Sequence, residues 1–127
     1  MKILGIDYGR KKVGLAFAAT MLAEVYGVIR FRSIGEAIKK IKNIVDKEEI
    51  EKVVIGISEG EMAKETKKFG EKLEMDLKIP IVYQDETLST KEAQRLSIEA
   101  GIGRKKRQKM EDAYSATLIL QEYLFRN

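Results

Sequence analysis

The sequence predicts an α/β fold built on a five-stranded mixed sheet, three antiparallel strands followed by two parallel βα strands, flanked by helices. Three observations carry that expectation. Residues 2–31 hold three β-rich runs separated by short turns. Lys52–Ile57 (KVVIGI) is a continuous apolar run of the kind found in strands buried on both faces. The segments flanking the later strands repeat their apolar residues at helical spacing.

The elements follow in order. Residues 2–8 form the first strand, and after a turn at Gly9–Lys12 the run Val13–Ala18 alternates large Val13, Leu15 and Phe17 with small Gly14, Ala16 and Ala18, which predicts a hairpin. A third strand is expected over Val25–Phe31. Ser33 and Glu36 then have the spacing of a capping box ahead of apolar residues 34, 37, 38, 41 and 45, which opens a first helix. Lys52–Ile57 is the fourth strand. Met62, Thr66, Phe69, Leu73 and Leu77 mark the buried face of a second helix. Ile79–Tyr83 is expected as the fifth strand, with Pro80 near its start, where a missing N–H is tolerable. Ser89 and Glu92 repeat the capping-box spacing for a helix that Gly101 should end. A last helix is expected from about Met110 to Phe125, burying Ala113, Ala116 or Thr117, Leu120 and Leu124. The order βββ-α-β-α-β-α-α, with crossovers that return later strands parallel to the first, is that of an RNase H-like domain.

Composition bounds the chemistry. At 127 residues, without a repeat or a Gly/Ser/Pro-rich linker, the chain reads as a single domain over 1–127. It has no apolar run long enough to span a bilayer and no signal-peptide pattern, so a cytoplasmic protein without membrane contact is expected. With no Cys and no His, disulfides, thiolate or imidazole metal sites and every Ser-His or Cys-His nucleophile are excluded. Catalysis must therefore use carboxylates, amines, hydroxyls or a bound ion. The net charge of +4 favours an anionic partner only weakly in a chain that is 35% charged, since many Lys and Glu residues also fit a thermophile's composition.

Three carboxylates stand out. Ile3, Gly5 and Asp7 share one face of the first strand, and a charge there is costly unless it is paired or holds a metal. Asp7 can equally be a turn residue ahead of Gly9. Asp85 and Glu86 follow the fifth strand, at the edge where open α/β sheets place ligands. They can also be plain loop residues ahead of a helix, and Asp112, beside Glu111, can simply favour the positive end of the last helix. Together they read differently, because the parallel strands deliver Asp7 and Glu86 to one sheet edge and a helix packed across it can bring Asp112 alongside. Such a cluster would repel itself without a cation, which points to Mg²⁺ or Mn²⁺. Two such ions about 3.5–4 Å apart would activate water and stabilise the leaving oxygen in phosphodiester hydrolysis without a histidine.

Arg104-Lys105-Lys106-Arg107-Gln108-Lys109 puts five cations in six residues just ahead of Asp112. A solvated loop is the plain alternative. Contact with phosphates would offset the acidic site's repulsion of a polyanion. Arg10, Lys11 and Lys12 form a second basic patch. Few aromatics lie near either one, so recognition of backbone and shape is expected rather than stacking on bases.

At these residues the chain resembles the YqgF/RuvX family of bacterial RNase H-like proteins. The resemblance runs end to end: Ile6-Asp7-Tyr8-Gly9-Arg10-Lys11-Lys12-Val13-Gly14-Leu15-Ala16, Val53-Val54-Ile55-Gly56, Asp85-Glu86-Thr87-Leu88-Ser89-Thr90, and Asp112-Ala113-Tyr114-Ser115-Ala116-Thr117-Leu118-Ile119-Leu120-Gln121. It implies that Asp7, Glu86 and Asp112 are the metal-binding catalytic set. It further implies nuclease maturation of the 5′ end of pre-16S rRNA, with Holliday-junction resolution as an older assignment. Thr87 stands where the family usually has Arg, Ser58 where it usually has Pro, and the loop 58–62 is shorter than usual.

Two other readings compete. Asp-x-Gly in a first hairpin also occurs in actin-like and sugar-kinase ATPases, but those close two domains on the nucleotide. A non-catalytic RNA-binding ribosome-assembly factor could use the same fold and basic patches. The expected partner in either nucleic-acid reading is structured RNA or branched DNA held through phosphates, by a monomer or homodimer.

Overall fold

A computed structural model describes residues 1–85 and 104–126, with the backbone alone at 104–111. Strands β1 (Ile3–Tyr8), β2 (Lys12–Ala18), β3 (Glu24–Arg30), β4 (Lys52–Ile57) and β5 (Ile81–Asp85) form one sheet in the order β3-β2-β1-β4-β5. β1, β2 and β3 run antiparallel, whereas β4 pairs parallel with β1 and β5 parallel with β4. This is the mixed sheet expected from the sequence. Helix α1 spans Ile34–Glu48, α2 Glu61–Leu77 and α3 Arg104–Arg126. The helix expected from Ser89 to Gly101 lies outside the described residues.

The two-residue period of the strands sorts the core into two layers. Leu4, Ile6, Val13, Leu15, Val53 and Ile55 pack under α1 and α2, which supply Ile38, Ile41, Phe69 and Leu73 among others. A side chain such as Phe69 or Leu73, fully buried, contributes roughly 1.5–3 kcal/mol. The opposite face, Ile3, Ala16, Ala18 and Val54, meets Ala116, Ile119, Leu120 and Leu124 of α3. Small residues on this face let a single helix come close: a Cβ on Gly5 would stand 2.8 Å from Leu120 Cβ and 3.1 Å from the Ala116 carbonyl oxygen. The alternation of large and small residues in β2 thus separates the face that packs on α1 and α2 from the face that packs on α3.

Local signals set several boundaries. The Ser33 hydroxyl accepts from the Glu36 N–H at 3.2 Å, a cap that contributes about 1 kcal/mol. Glu36 reaches back to the Arg32 N–H, also at 3.2 Å. Gly60 precedes α2 at φ 75, a conformation that suits glycine. Gln121 of α3 accepts from the Ala23 N–H at 2.8 Å and donates to the Met21 carbonyl at 2.9 Å, tying the β2–β3 turn to the helix.

Two expected boundaries need correction. β5 runs Ile81–Asp85 rather than Ile79–Tyr83. Lys78 caps α2 in the left-handed region at φ 57, and Pro80 has no N–H to give, so it offers only its carbonyl, to Val53 N–H at 3.0 Å, before pairing proper begins. The last helix starts at Arg104 rather than near Met110. Lys, Arg and Gln are good helix formers, and no Gly or Pro separates Arg104 from Asp112, so the basic segment is the first part of α3 instead of a loop.

Candidate functional site

Asp7 is half-buried near the C-terminal end of β1 and pairs across the hairpin with Gly14. By the alternation of β1 it shares the α3 face with Ile3 and Gly5. Gly14 is where α3 comes closest to the sheet: a Cβ there would overlap the backbone carbonyl of Asp112 and lie 2.8 Å from Ala113 N. Leu120, Ala116 and Asp112 recur every fourth residue along α3, one helical turn apart, so the helix walks from Gly5 up to Gly14 and ends that walk on Asp112. Two of the three expected carboxylates, distant in sequence, are therefore brought to one place by a strand pair and one close helix contact.

Asp112 is the ninth residue of α3, counting from Arg104 (112 − 104 + 1 = 9). The positive helix end weakens beyond the first turn, so the dipole does not account for its position. Its Oδ2 is buried and, among the described residues, receives no hydrogen bond. Lys12 Nζ lies 3.1 Å from that oxygen, an ion-pair approach without hydrogen-bond alignment. A buried carboxylate oxygen lacking a hydrogen bond fits a hard cation, and oxygen donors fit Mg²⁺ or Mn²⁺. Asp85, exposed, ends β5 opposite Ile57, at the same sheet edge as Asp7. Glu86 lies outside the described residues, and among the described ones no three acidic side chains gather closely enough to hold a metal.

The first basic patch divides. Arg10 grips Glu65 of α2 through Nε at 3.1 and 3.2 Å and through Nη2 at 2.7 Å. The guanidinium holds the Glu65 carboxyl below its ordinary range, and the carboxylate raises Arg10 further. Lys12 turns to Asp112, while Lys11 is exposed. Behind them the Tyr8 ring stacks on Phe69 with centroids 4.4 Å apart, and burial pushes its hydroxyl pKa up. Sequence reasoning missed Glu65, 55 residues from Arg10 with no local pattern to betray it. It also read Lys12 only as a phosphate contact. Arg104, Lys105, Lys106, Arg107 and Lys109 sit on the first two turns of α3, about 12 Å of helix leading to Asp112 at 1.5 Å per residue.

Known proteins resemble the chain over nearly its whole length. The family described as "RuvX: Holliday junction resolvase" matches residues 1–126. A relative from Caldanaerobacter subterraneus, named a pre-16S rRNA nuclease, is 41% identical, covering 98% of this chain and 96% of its own. One of the same name from Halothermothrix orenii is 38% identical, with 98% and 94% covered. Among solved structures, RuvC of T. thermophilus with a Holliday junction substrate superposes with TM-score 0.65 at 16% identity, covering 99% of this chain and 94% of that one. A fowlpox virus resolvase bound to Holliday junction DNA gives 0.67 at 12%, with 99% and 98% covered. At such identities these two establish the fold, which is RNase H-like.

Proposed function

The chain belongs to the RuvX family, and from that premise we propose that it is a metal-dependent nuclease that cuts phosphodiester bonds in structured nucleic acid, with the 5′ end of pre-16S rRNA as its substrate. The observation that carries the reading is the meeting of Asp7 and Asp112 at Gly14, with one Asp112 oxygen buried and receiving no hydrogen bond among the described residues. Glu86, which lies outside the described residues, would supply the third carboxylate, as the family resemblance implies. These carboxylates would hold Mg²⁺ or Mn²⁺, as one ion or a pair, which when bound would supply Lewis-acid activation of water and charge neutralisation at the leaving oxygen. The chain's own residues do the rest. Asp7 and Asp112 fix the cation against a rigid strand and helix, and the close packing at Gly14 holds their spacing. The basic start of α3 draws the phosphate backbone towards this edge, aided by the positive end of the helix. The protein acts as one domain in the cytoplasm.

A side-by-side assay with Mg²⁺ or Mn²⁺ tests this on a pre-rRNA 5′ leader and a four-way DNA junction. Cleavage of the leader, absent with chelator, is expected. Preferential cutting of the junction would move the protein to DNA recombination, and binding without cutting either would leave an RNA-binding assembly factor.

The basic turns have their own readout. Neutralising Arg104, Lys105 and Lys106 together is expected to weaken binding alike for every sequence. The slope of log K against log salt should become shallower by about 0.7–0.9 for each phosphate no longer neutralised. An unchanged slope would return the segment to a solvated helix end, and a loss confined to one sequence would mean base reading.

A further inference from the structure

Lys12 enters β2 on the face that Gly14, Ala16 and Ala18 turn towards α3, and it carries its ammonium to 3.1 Å from the buried Asp112 Oδ2. Both side chains are only partly exposed, at 36% and 28%, so the pair is screened less than a surface ion pair. It stands where the proposed metal would be held. We propose that Lys12 is a resident counter-ion of Asp112 that must be drawn off before the metal is held tightly, so that nucleic acid and metal load cooperatively. The inference rests on the metal-site reading above.

The reasoning is electrostatic. In the free protein the ammonium satisfies the Asp112 charge and would repel a divalent ion placed beside it. A phosphate of the nucleic acid offers the same ammonium a second anion, on the side from which the substrate arrives. Once Lys12 swings to that phosphate, Asp112 is released to the metal and the repulsion is gone. By linkage, whatever nucleic acid does for metal affinity the metal does for nucleic-acid affinity. Lys12 is thus a positioning residue that acts through Asp112, and the free protein avoids holding a loaded metal without its substrate.

The test measures Mn²⁺ affinity by the EPR signal of free Mn²⁺. It uses the whole chain, alone and with a hydrolysis-resistant phosphorothioate RNA hairpin. The wild type should bind Mn²⁺ weakly when free and about tenfold more tightly with the hairpin. Lys12→Gln, which keeps a polar N–H group at this position but carries no charge, should bind Mn²⁺ about tenfold more tightly than wild type when free and gain less from the hairpin. Lys12→Arg should behave as wild type. Lys12→Met removes the donor as well. It should melt earlier than wild type without metal, because Asp112 is left buried and uncompensated, and recover with Mn²⁺. If Lys12→Gln binds Mn²⁺ no more tightly than wild type while Asp7→Asn weakens binding, the counter-ion role is overturned and the metal site stands. If Asp7→Asn changes nothing in any form, the metal site itself falls and the inference with it.

Discussion

Asp7→Asn is expected to remove metal-dependent cleavage while leaving the fold in place. The amide keeps the shape of the carboxylate on β1 and loses the charge that would hold the proposed cation. A cation at a phosphoryl oxygen contributes several kcal/mol to the transition state, and a loss of about 4 kcal/mol lowers the rate on the order of 10³-fold. Turnover of a pre-rRNA leader should fall by at least that factor, with circular dichroism unchanged and Tm within a few degrees of wild type. Mn²⁺ should no longer raise the Tm, because stabilisation by a ligand requires binding to the native state. A large fall in Tm with metal absent would instead make Asp7 a structural residue.

Gly14→Ala should produce the largest loss of stability among glycine-to-alanine changes at the described residues. The new Cβ would overlap the Asp112 carbonyl and crowd Ala113 N, and backbone cannot swing aside as a side-chain tip can. Overpacking costs roughly 1–3 kcal/mol and occasionally more, and here the upper end applies, equivalent to a Tm drop of about 10 °C. Because α3 must lift to make room, Asp112 leaves Asp7, and Mn²⁺ affinity should fall with stability. Gly35→Ala is the control: its Cβ would meet nothing nearer than Ser33 Oγ at 4.0 Å, and alanine in a helix should add up to about 1 kcal/mol. Equal thermal shifts for the two variants would show that the glycine at position 14 has no role in seating the helix.

What can be read in the sequence follows how local each signal is. Ser33 and Glu36 act within one turn, so the start of α1 is plain, and the unbroken apolar run Lys52–Ile57 marks β4 to the residue. The small residues of β2 are visible, but nothing in the strand itself names the helix that needs them. The start of α3 is easily misplaced because a dense run of cations resembles a solvated loop, although the same side chains favour helix once Asp112 is anchored. The shift of β5 comes from a cap at Lys78 that has no glycine to announce it. Among the candidate residues, Asp7 is legible as a carboxylate near the end of β1, whereas Asp112, expected in the first turn of the last helix, stands well inside α3. The Lys12–Asp112 and Arg10–Glu65 pairs are not legible, since each joins elements far apart in the chain and only the packed sheet brings them together.

α3 is the only described helix on its side of the sheet, and it binds the last part of the chain to the first strand. During synthesis β1 leaves the ribosome before α3, and the contact of Gly5 with Leu120 forms only after residues beyond Leu120 have emerged. Contacts of such long sequence separation form late, because the connecting chain must first be closed into a loop. The nascent chain therefore carries Asp7 without its partner helix while all the residues between β1 and α3 are made. It exposes an apolar, small-residue sheet face that invites association with other chains during that interval. On the proposed site, Asp7 and Asp112 come together only when α3 docks, so a nascent chain that still lacks α3 is expected not to cut the RNA around it.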